Sequence, residues 1–264
     1  MTKKDIFAVV TAAGSGTRLG YAQPKALVPL VGVTLVERAV ETFLKHPRVA
    51  GIVVTAPAES PVFERFEKLF EGVAEILVVP GGATRQASVY QGLLGLSVLA
   101  ERLGLVHRIS ETSVLIHDAA RCLMPAEVID RVALALESSR AVIPVLPVVD
   151  TLTTSVYQEF ECAGESVDRS KLRAVQTPQG FKYPTILLAH QKAASIQAEQ
   201  FTDDASLMEL VGESVQLVEG SELSLKITTP FDLRVANCLL GFGGALEQTN
   251  ESDASPPMPA SSQQ

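Results

Sequence analysis

Cysteine is scarce in this chain, and the little there is cannot form a framework. Cys122, Cys162 and Cys238 are odd in number, far apart and without a C-x-x-C spacing, so neither a disulfide scaffold nor a zinc site is expected; reduced thiols in a cytoplasmic protein are. Basic charge is also in deficit. With 22 Lys and Arg against 30 Asp and Glu the net charge is −8, which excludes general binding to nucleic acid and leaves room only for a local cluster of cations in an acidic surface. Long apolar runs are missing too. The run after Lys3 and Lys4 is too short for a signal-peptide core and leads straight into a glycine-rich loop, and no other stretch could span a membrane. Two phosphate-loop signatures are likewise absent. The dinucleotide pattern G-x-G-x-x-G would need glycine where Leu19 stands, and the Walker pattern would need Gly-Lys-Ser/Thr where Lys25 lies between Pro24 and Ala26.

What is present is a different anion cradle. Ile6-Phe7-Ala8-Val9-Val10 reads as a short strand that runs into Thr11-Ala12-Ala13-Gly14-Ser15-Gly16-Thr17-Arg18-Leu19-Gly20 and then Pro24-Lys25. Small residues and glycines let backbone N–H groups approach an anion closely. Arg18 and Lys25 add full positive charge, a combination that a nucleoside triphosphate would use completely.

At 264 residues and 47% hydrophobic composition the chain can bury a sizeable core as one α/β domain, taken as 1–241. Gly51–Thr55, Ile76–Val79, Ser113–His117 and Ala141–Val145 read as further strands, too continuously apolar to have a wet face. Thr34-Leu35-Val36-Glu37 is a capping-box start for a helix through about Leu44, Thr84 caps one running toward Arg102, and Pro125 opens another. This alternation predicts a mostly parallel twisted sheet with helices on both faces. It weakens near Thr151, where Thr151–Val156 and Leu172–Gln176 flank a polar stretch, and the region, about 151–172, reads as a projecting β-arm. Residues 242–264, poor in large apolar groups, read as a disordered tail.

Open α/β sheets bind ligands at the carboxyl ends of their strands, and four clusters fall there. The glycine loop with Arg18 and Lys25 is the first. In Pro80–Ser88 the paired Gly81 and Gly82 permit close backbone approach to a flat base, and Ser88 could bond its edge. In His117-Asp118-Ala119-Ala120-Arg121 an acid at a strand end can meet a ribose hydroxyl or a metal-bound phosphate while Arg121 reaches an anion. The fourth comprises Val167-Asp168-Arg169, Gln176–Phe181, Phe201–Ser206 and Leu225–Thr228.

Taken in this order and at these intervals, the clusters resemble the 2-C-methyl-D-erythritol 4-phosphate cytidylyltransferases of the non-mevalonate isoprenoid pathway, from Phe7 to about Leu240. Two positions depart from the family pattern: Cys122 stands where proline often follows Arg121, and Ala83 where an acid often follows the glycine pair. The resemblance implies a Rossmann-like sheet of the nucleotide-diphospho-sugar transferase type and transfer of CMP from CTP to the polyol phosphate with release of pyrophosphate. It implies that Arg18 and Lys25 stabilise the transition state, and that Ala12, Ala13, Gly14, Ser15, Gly16, Gly82, Ser88, Asp118 and Ala119 bind CTP. Arg121, Asp150, Thr151, Arg169 and Lys226 would bind the polyol phosphate. Mg²⁺ would be held mainly by the CTP phosphates, with Asp118 as the side-chain candidate. An arm carrying Thr151 and Arg169 would reach the cradle of a neighbouring subunit most easily, so a homodimer with shared sites is expected. Ribitol-5-phosphate cytidylyltransferase is the alternative within the family. The glycine spacing disfavours a Rossmann oxidoreductase or methyltransferase, and the intact cations disfavour a silent nucleotide sensor.

Other residues receive structural readings. Asp203 and Asp204, after Thr202, fill the first turn of a capped helix. Cys122 is a bystander, because the reaction needs no covalent nucleophile. His46, His107 and His190 are taken as surface histidines.

Overall fold

The computed structural model describes residues 4–14, 19, 21, 23–157, 160–196, 201 and 203–249, apart from the side chains of 242–249. Strand β1 (Ile6–Thr11) is followed by the short strands β2 (Pro29–Leu30) and β3 (Val33–Thr34), helix α1 (Leu35–Lys45), β4 (Val49–Ala56), α2 (Val62–Leu69), β5 (Ile76–Pro80) and α3 (Arg85–Arg102). Then come β6 (Ser113–Asp118), α4 (Ala126–Ala135), β7 (Ala141–Pro147), β8 (Leu152–Tyr157), β9 (Glu161–Val167), β10 (Arg173–Val175), β11 (Gln179–Lys182), α5 (Tyr183–Ser195), β12 (Gln216–Glu219) and α6 (Pro230–Thr249).

The parallel core runs β5-β4-β1-β6, as the apolar runs predict. Strand β11 is antiparallel to both β6 and β7, and β7 also pairs with antiparallel β10 and parallel β12. Side chains alternate across β1, so Ile6, Ala8 and Val10 join Phe43 of α1, Phe66 of α2 and Val128 of α4 on one face. Phe7 and Val9 join Leu93 of α3 and Ile186 of α5 on the other. Both faces are dry, which is why β1 and β4 carry one threonine each and β6 keeps its polar residues, Ser113, His117 and Asp118, to its two ends. Helix α3 lies so close to the sheet that a Cβ on Gly92 would stand 2.4 Å from Val9 Cγ1.

The helix starts follow their local signals. The Thr34 hydroxyl accepts from the Glu37 N–H and the Glu37 carboxylate accepts from the Thr34 N–H, a reciprocal capping box that fixes where α1 begins. The Thr84 hydroxyl accepts from the Ala87 N–H and so sets Arg85 as the first residue of α3.

The arm gains a strand pairing, and the tail needs correction. Within the region read as an arm, about 151–172, β8 pairs with β9, while the flanking Leu172–Gln176 contributes β10, a strand of the main sheet. The β8–β9 pair has no buried face to favour apolar residues. Hydroxyls serve instead: Thr154 Oγ1 accepts from the Glu165 N–H at 2.9 Å, and the Thr153 hydroxyl points to the Gly164 and Glu165 carbonyls. In addition, α6 continues to Thr249, into the stretch read as a disordered tail. Each added residue in a growing helix contributes a hydrogen bond, and Ala245, Leu246, Glu247 and Gln248 are good helix formers. The rest of that tail, 250–264, lies outside the described residues.

The register positions the site. Thr11 of β1 lies opposite Thr55 of β4 and Asp118 of β6, and Ala56 lies opposite Pro80 of β5. Four strands therefore end level, and the loops that follow them converge.

Candidate active site

At that edge lies a cleft of about 500 Å³, lined among others by Ala12, Ala13, Gly14, Lys25, Gly82, Ser88, Asp118, Ala119 and Lys226. The Ala12 N–H is spent on the Thr55 carbonyl at 2.9 Å, which holds the start of the glycine loop against β4 and turns Ala13 and Gly14 toward the cleft. Pro24 extends the chain ahead of a single 3₁₀ turn, Lys25–Leu27, whose Ala26 and Leu27 are buried, and this delivers Lys25 to the cleft wall. The paired glycines are sterically required: a Cβ on Gly81 would meet Ala13 Cβ at 2.6 Å, and one on Gly82 would meet Ala87 Cβ at 2.4 Å. Ser88 accepts from the Gly82 N–H at 3.1 Å and donates to the Thr84 carbonyl at 2.9 Å, so its hydroxyl mainly holds this turn.

Asp118 is the electrostatic centre. Its Oδ1 accepts from Arg85 Nε at 3.1 Å and from the Thr11 hydroxyl at 3.2 Å, and its Oδ2 accepts from Lys226 Nζ at 2.7 Å. Burial alone would raise this carboxyl, but Arg85 and Lys226 outweigh it and hold it well below the usual carboxylate range. The backbone N–H of Asp118 is held by the Thr177 hydroxyl, which also meets His117 Nδ1 at 2.9 Å. Burial pushes the His117 imidazole down to about 4 against the pull of Asp118, so it is neutral near pH 7. Arg121 works behind the cleft: its Nη1 donates to the Ser224 carbonyl at 2.6 Å and its Nη2 to the Val175 carbonyl. Together with the bond from the Ile227 N–H to the Ala120 carbonyl at 2.8 Å, this fastens the segment that presents Lys226.

A donor-rich, cation-lined cleft at the carboxyl edge of a parallel sheet fits a nucleotide, and the chain's relatives decide which chemistry. The family model for 2-C-methyl-D-erythritol 4-phosphate cytidylyltransferase (IspD) matches residues 6–241. The chain belongs to the IspD family. It is 43% identical over 240 residues to the 2-C-methyl-D-erythritol 4-phosphate cytidylyltransferase of Saccharopolyspora erythraea, an alignment covering 89% of this chain and 99% of that one. It is also 39% identical to the bifunctional enzyme IspD/IspF of Rhodopseudomonas palustris, of which it spans 53%. Among solved structures, the Thermus thermophilus cytidylyltransferase superposes with a TM-score of 0.68 at 34% identity, covering 88% of this chain and 98% of that one. The Francisella tularensis IspD gives 0.73 at 26% identity, covering 89% and 99%.

Of the residues that the IspD pattern singles out, those named above as lining the cleft come together in one place. Ser15, Gly16 and Arg18 lie outside the described residues. Arg121 turns to carbonyls behind the wall, while Asp150, Thr151 and Arg169 are exposed at the base of the β8–β9 pair and do not line the cleft. Arg169 Nη1 donates to the Val149 carbonyl.

Sequence reasoning missed Arg85, Glu59 and Asp204. Arg85 and Glu59 line the cleft. The Thr84 cap was a usable signal for Arg85, since it puts the next residue at the carboxyl end of β5. Asp204 is not simply a first-turn residue: it is buried, pairs with Arg85 Nη1 at 2.8 Å and meets His190 Nε2 at 3.2 Å. Asp203 precedes the 3₁₀ turn Ser206–Val211 rather than filling its first turn, and accepts from the Ser206 N–H at 3.0 Å. His190 and His46 are buried rather than at the surface, the latter against Asp130 at 3.0 Å. Neighbouring polar residues do not reveal a histidine whose partner is distant in sequence. Cys122 is buried and its thiol is pushed up to about 11, unsuited to nucleophilic work.

A divalent cation would find little protein to hold it. No group of three or more His, Cys, Asp or Glu side chains is placed for a metal among the described residues, and both Asp118 oxygens already face cations. This donor set fits an ion coordinated chiefly by phosphate oxygens.

Proposed function

We propose that this cleft joins the cytidylyl group of CTP to 2-C-methyl-D-erythritol 4-phosphate in isoprenoid biosynthesis. A phosphate oxygen of the polyol attacks the α-phosphorus of CTP, the bond from that phosphorus to the bridging oxygen of the β-phosphate breaks, and pyrophosphate leaves. The nucleophile is already an anion, so no general base is needed. The site's work is alignment and neutralisation of charge. The observation that carries this reading is the assembly of Lys25, Lys226 and the small-residue turns around one fixed carboxylate, in a chain that belongs to the IspD family. Lys25, with Arg18, meets the charge moving onto the phosphate oxygens. Lys226 leaves Asp118 for the phosphate of the polyol. Asp118 would be the side-chain candidate toward a Mg²⁺ held mainly by the CTP phosphates, and the ion would supply neutralisation of phosphate charge.

The β8–β9 pair completes the site of a second subunit. Val149, Tyr157 and Phe160 are exposed apolar groups on or beside it, and Thr151 and Arg169 stand at its base away from their own cleft. A two-fold dimer of cytoplasmic enzyme covers the first set and supplies the second to the partner's polyol phosphate.

Pyrophosphate release with Mg²⁺ tests the reaction, offering CTP or UTP against methylerythritol phosphate or ribitol 5-phosphate. Release with CTP and methylerythritol phosphate is expected; preference for ribitol phosphate would move the substrate, and silence in all pairings would overturn the reading. Mixed dimers of an Arg18→Ala chain with an Arg169→Ala chain test the sharing. They should recover about half of the sites, because one site collects both changes and the other neither; absence of complementation excludes a shared site.

A further inference from the structure

A chain of hydrogen-bonded side chains, alternately donor and acceptor, runs from the interior to the cleft. His190 Nε2 donates to Asp204 Oδ1 at 3.2 Å, Arg85 Nη1 donates to Asp204 Oδ2 at 2.8 Å, Arg85 Nε donates to Asp118 Oδ1 at 3.1 Å, and Lys226 Nζ donates to Asp118 Oδ2 at 2.7 Å. Side-chain exposure is 1% at His190 and Asp204, 29% at Arg85, 10% at Asp118 and 42% at Lys226, so the inner pair is sealed while both cations nearer the cleft reach water. The inner end is rigidly built. His190 stacks on Tyr90 of α3 with ring centroids 6.2 Å apart, and the loop carrying Asp204 is pinned by Gln179, which accepts from the Ala205 N–H and donates to Asp203, each at 3.0 Å. Arg85, Asp118 and Lys226 all line the cleft, and Lys226 is the most exposed of the three.

Stability does not explain such an arrangement. Taking ions out of water costs about as much as their pairing returns, and apolar side chains would fill the same space at no loss. The geometry accounts for it differently. Asp118 has two cation partners with unequal freedom: Arg85 is clamped by a buried carboxylate and by its place in the capped first turn of α3, whereas Lys226 is half exposed on a long flexible stem. With Arg85 holding part of the Asp118 charge, Lys226 is held less tightly than in an isolated pair.

We propose that Arg85 is a positioning residue for the transferase reaction, locked by Asp204 and His190 against Asp118, and that by sharing the Asp118 charge it leaves Lys226 free to turn to the incoming polyol phosphate. This rests on the assignment of Lys226 to that phosphate. Without Arg85, Asp118 keeps Lys226 for itself, so the penalty falls on one substrate more than on the other.

The experiment measures steady-state constants for both substrates at 25 °C, with thermal midpoints, in Arg85→Gln, Arg85→Lys, Asp204→Asn and the Arg85→Gln/Asp204→Asn double variant. Arg85→Gln should raise KM for the polyol phosphate about tenfold, the loss of one charge-assisted contact, and KM for CTP by much less. Arg85→Lys, which keeps the charge but can reach one carboxylate only, should recover part of this. Asp204→Asn, remote from the cleft, should shift KM in the same direction. The double variant should be no worse than Arg85→Gln alone, because Asp204 acts only through Arg85. Variants with lowered midpoints but constants within twofold of the unsubstituted enzyme, losses that add, or a larger rise for CTP would each overturn the proposal. An inactive unsubstituted enzyme would instead overturn the functional reading beneath it. Should Arg85→Gln fail to fold, Arg85→Lys and Asp204→Asn still decide between these outcomes.

Discussion

The cleft and the β8–β9 pair hold similar residues, carboxylates, threonines and cations, in opposite states. In the cleft Asp118 has every strong contact satisfied within its own chain: Thr11, Arg85 and Lys226 occupy its two oxygens and Thr177 holds its backbone. At the base of the pair Asp150, Thr151 and Arg169 stand in water, with apolar Val149, Tyr157 and Phe160 uncovered around them. Buried charge must be paired when the chain folds, so the cleft is organised before any ligand arrives. Exposed charge carries no such constraint, so within one chain nothing fixes these groups in place.

That contrast sets the order of expected effects. Asp118→Ala leaves Arg85 and Lys226 facing each other without their common counter-charge and should destabilise the fold by about 3–5 kcal/mol in urea unfolding, whereas Asp150→Ala should change it by less than about 0.5 kcal/mol. Equal effects at the two positions would mean that the cleft is no more organised than the surface. Next in size, Lys25→Ala should lower kcat by about 10²–10³-fold with little change in thermal midpoint, while Lys171→Ala beside Arg169 leaves kcat within about twofold; a proportional loss of stability in Lys25→Ala would make that lysine structural. The cysteines probe the same difference. At pH 8 the Cys122 thiol, raised from 9.0 to about 11 by burial, should be alkylated about a hundredfold more slowly than an ordinary thiol, after exposed Cys238 of α6 and half-buried Cys162 of β9. Mass-spectrometric mapping of an early alkylation sample checks the order. The smallest effect on the folded chain belongs to Phe160→Ser, within about 0.5 kcal/mol because the ring is already in water; sedimentation should nonetheless show loss of the dimer. A dimer that persists unchanged would remove the apolar pair from the interface.

How much of this was readable in advance depends on the range of each interaction. The strands Ile6–Thr11 and Ser113–Asp118 announce themselves because both of their faces are dry, and the helix starts at Thr34 and Thr84 because a cap and its acceptor are three residues apart. The anion cradle and Lys25 were legible for the same local reason. The pairing of β8 was not: in an exposed pair no face must be apolar, so no alternation marks its partner. Glu59 joins the cleft from the loop after β4, with no spacing to signal it.

The sequence by itself determined the alternating elements, the small-residue loop, the place of Lys25 after proline and the set of strand ends at which chemistry could collect, since each depends on contacts within a few residues. Only the tertiary structure decided that Arg85 sits between Asp118 and Asp204, that His190 is buried behind them, that Arg121 serves the wall and that Lys226 reaches Asp118. Those partners are separated by 14 to 119 residues, and nothing in local spacing records which of many compatible charges will meet once the sheet has set its register and burial leaves each charge only one or two partners within reach.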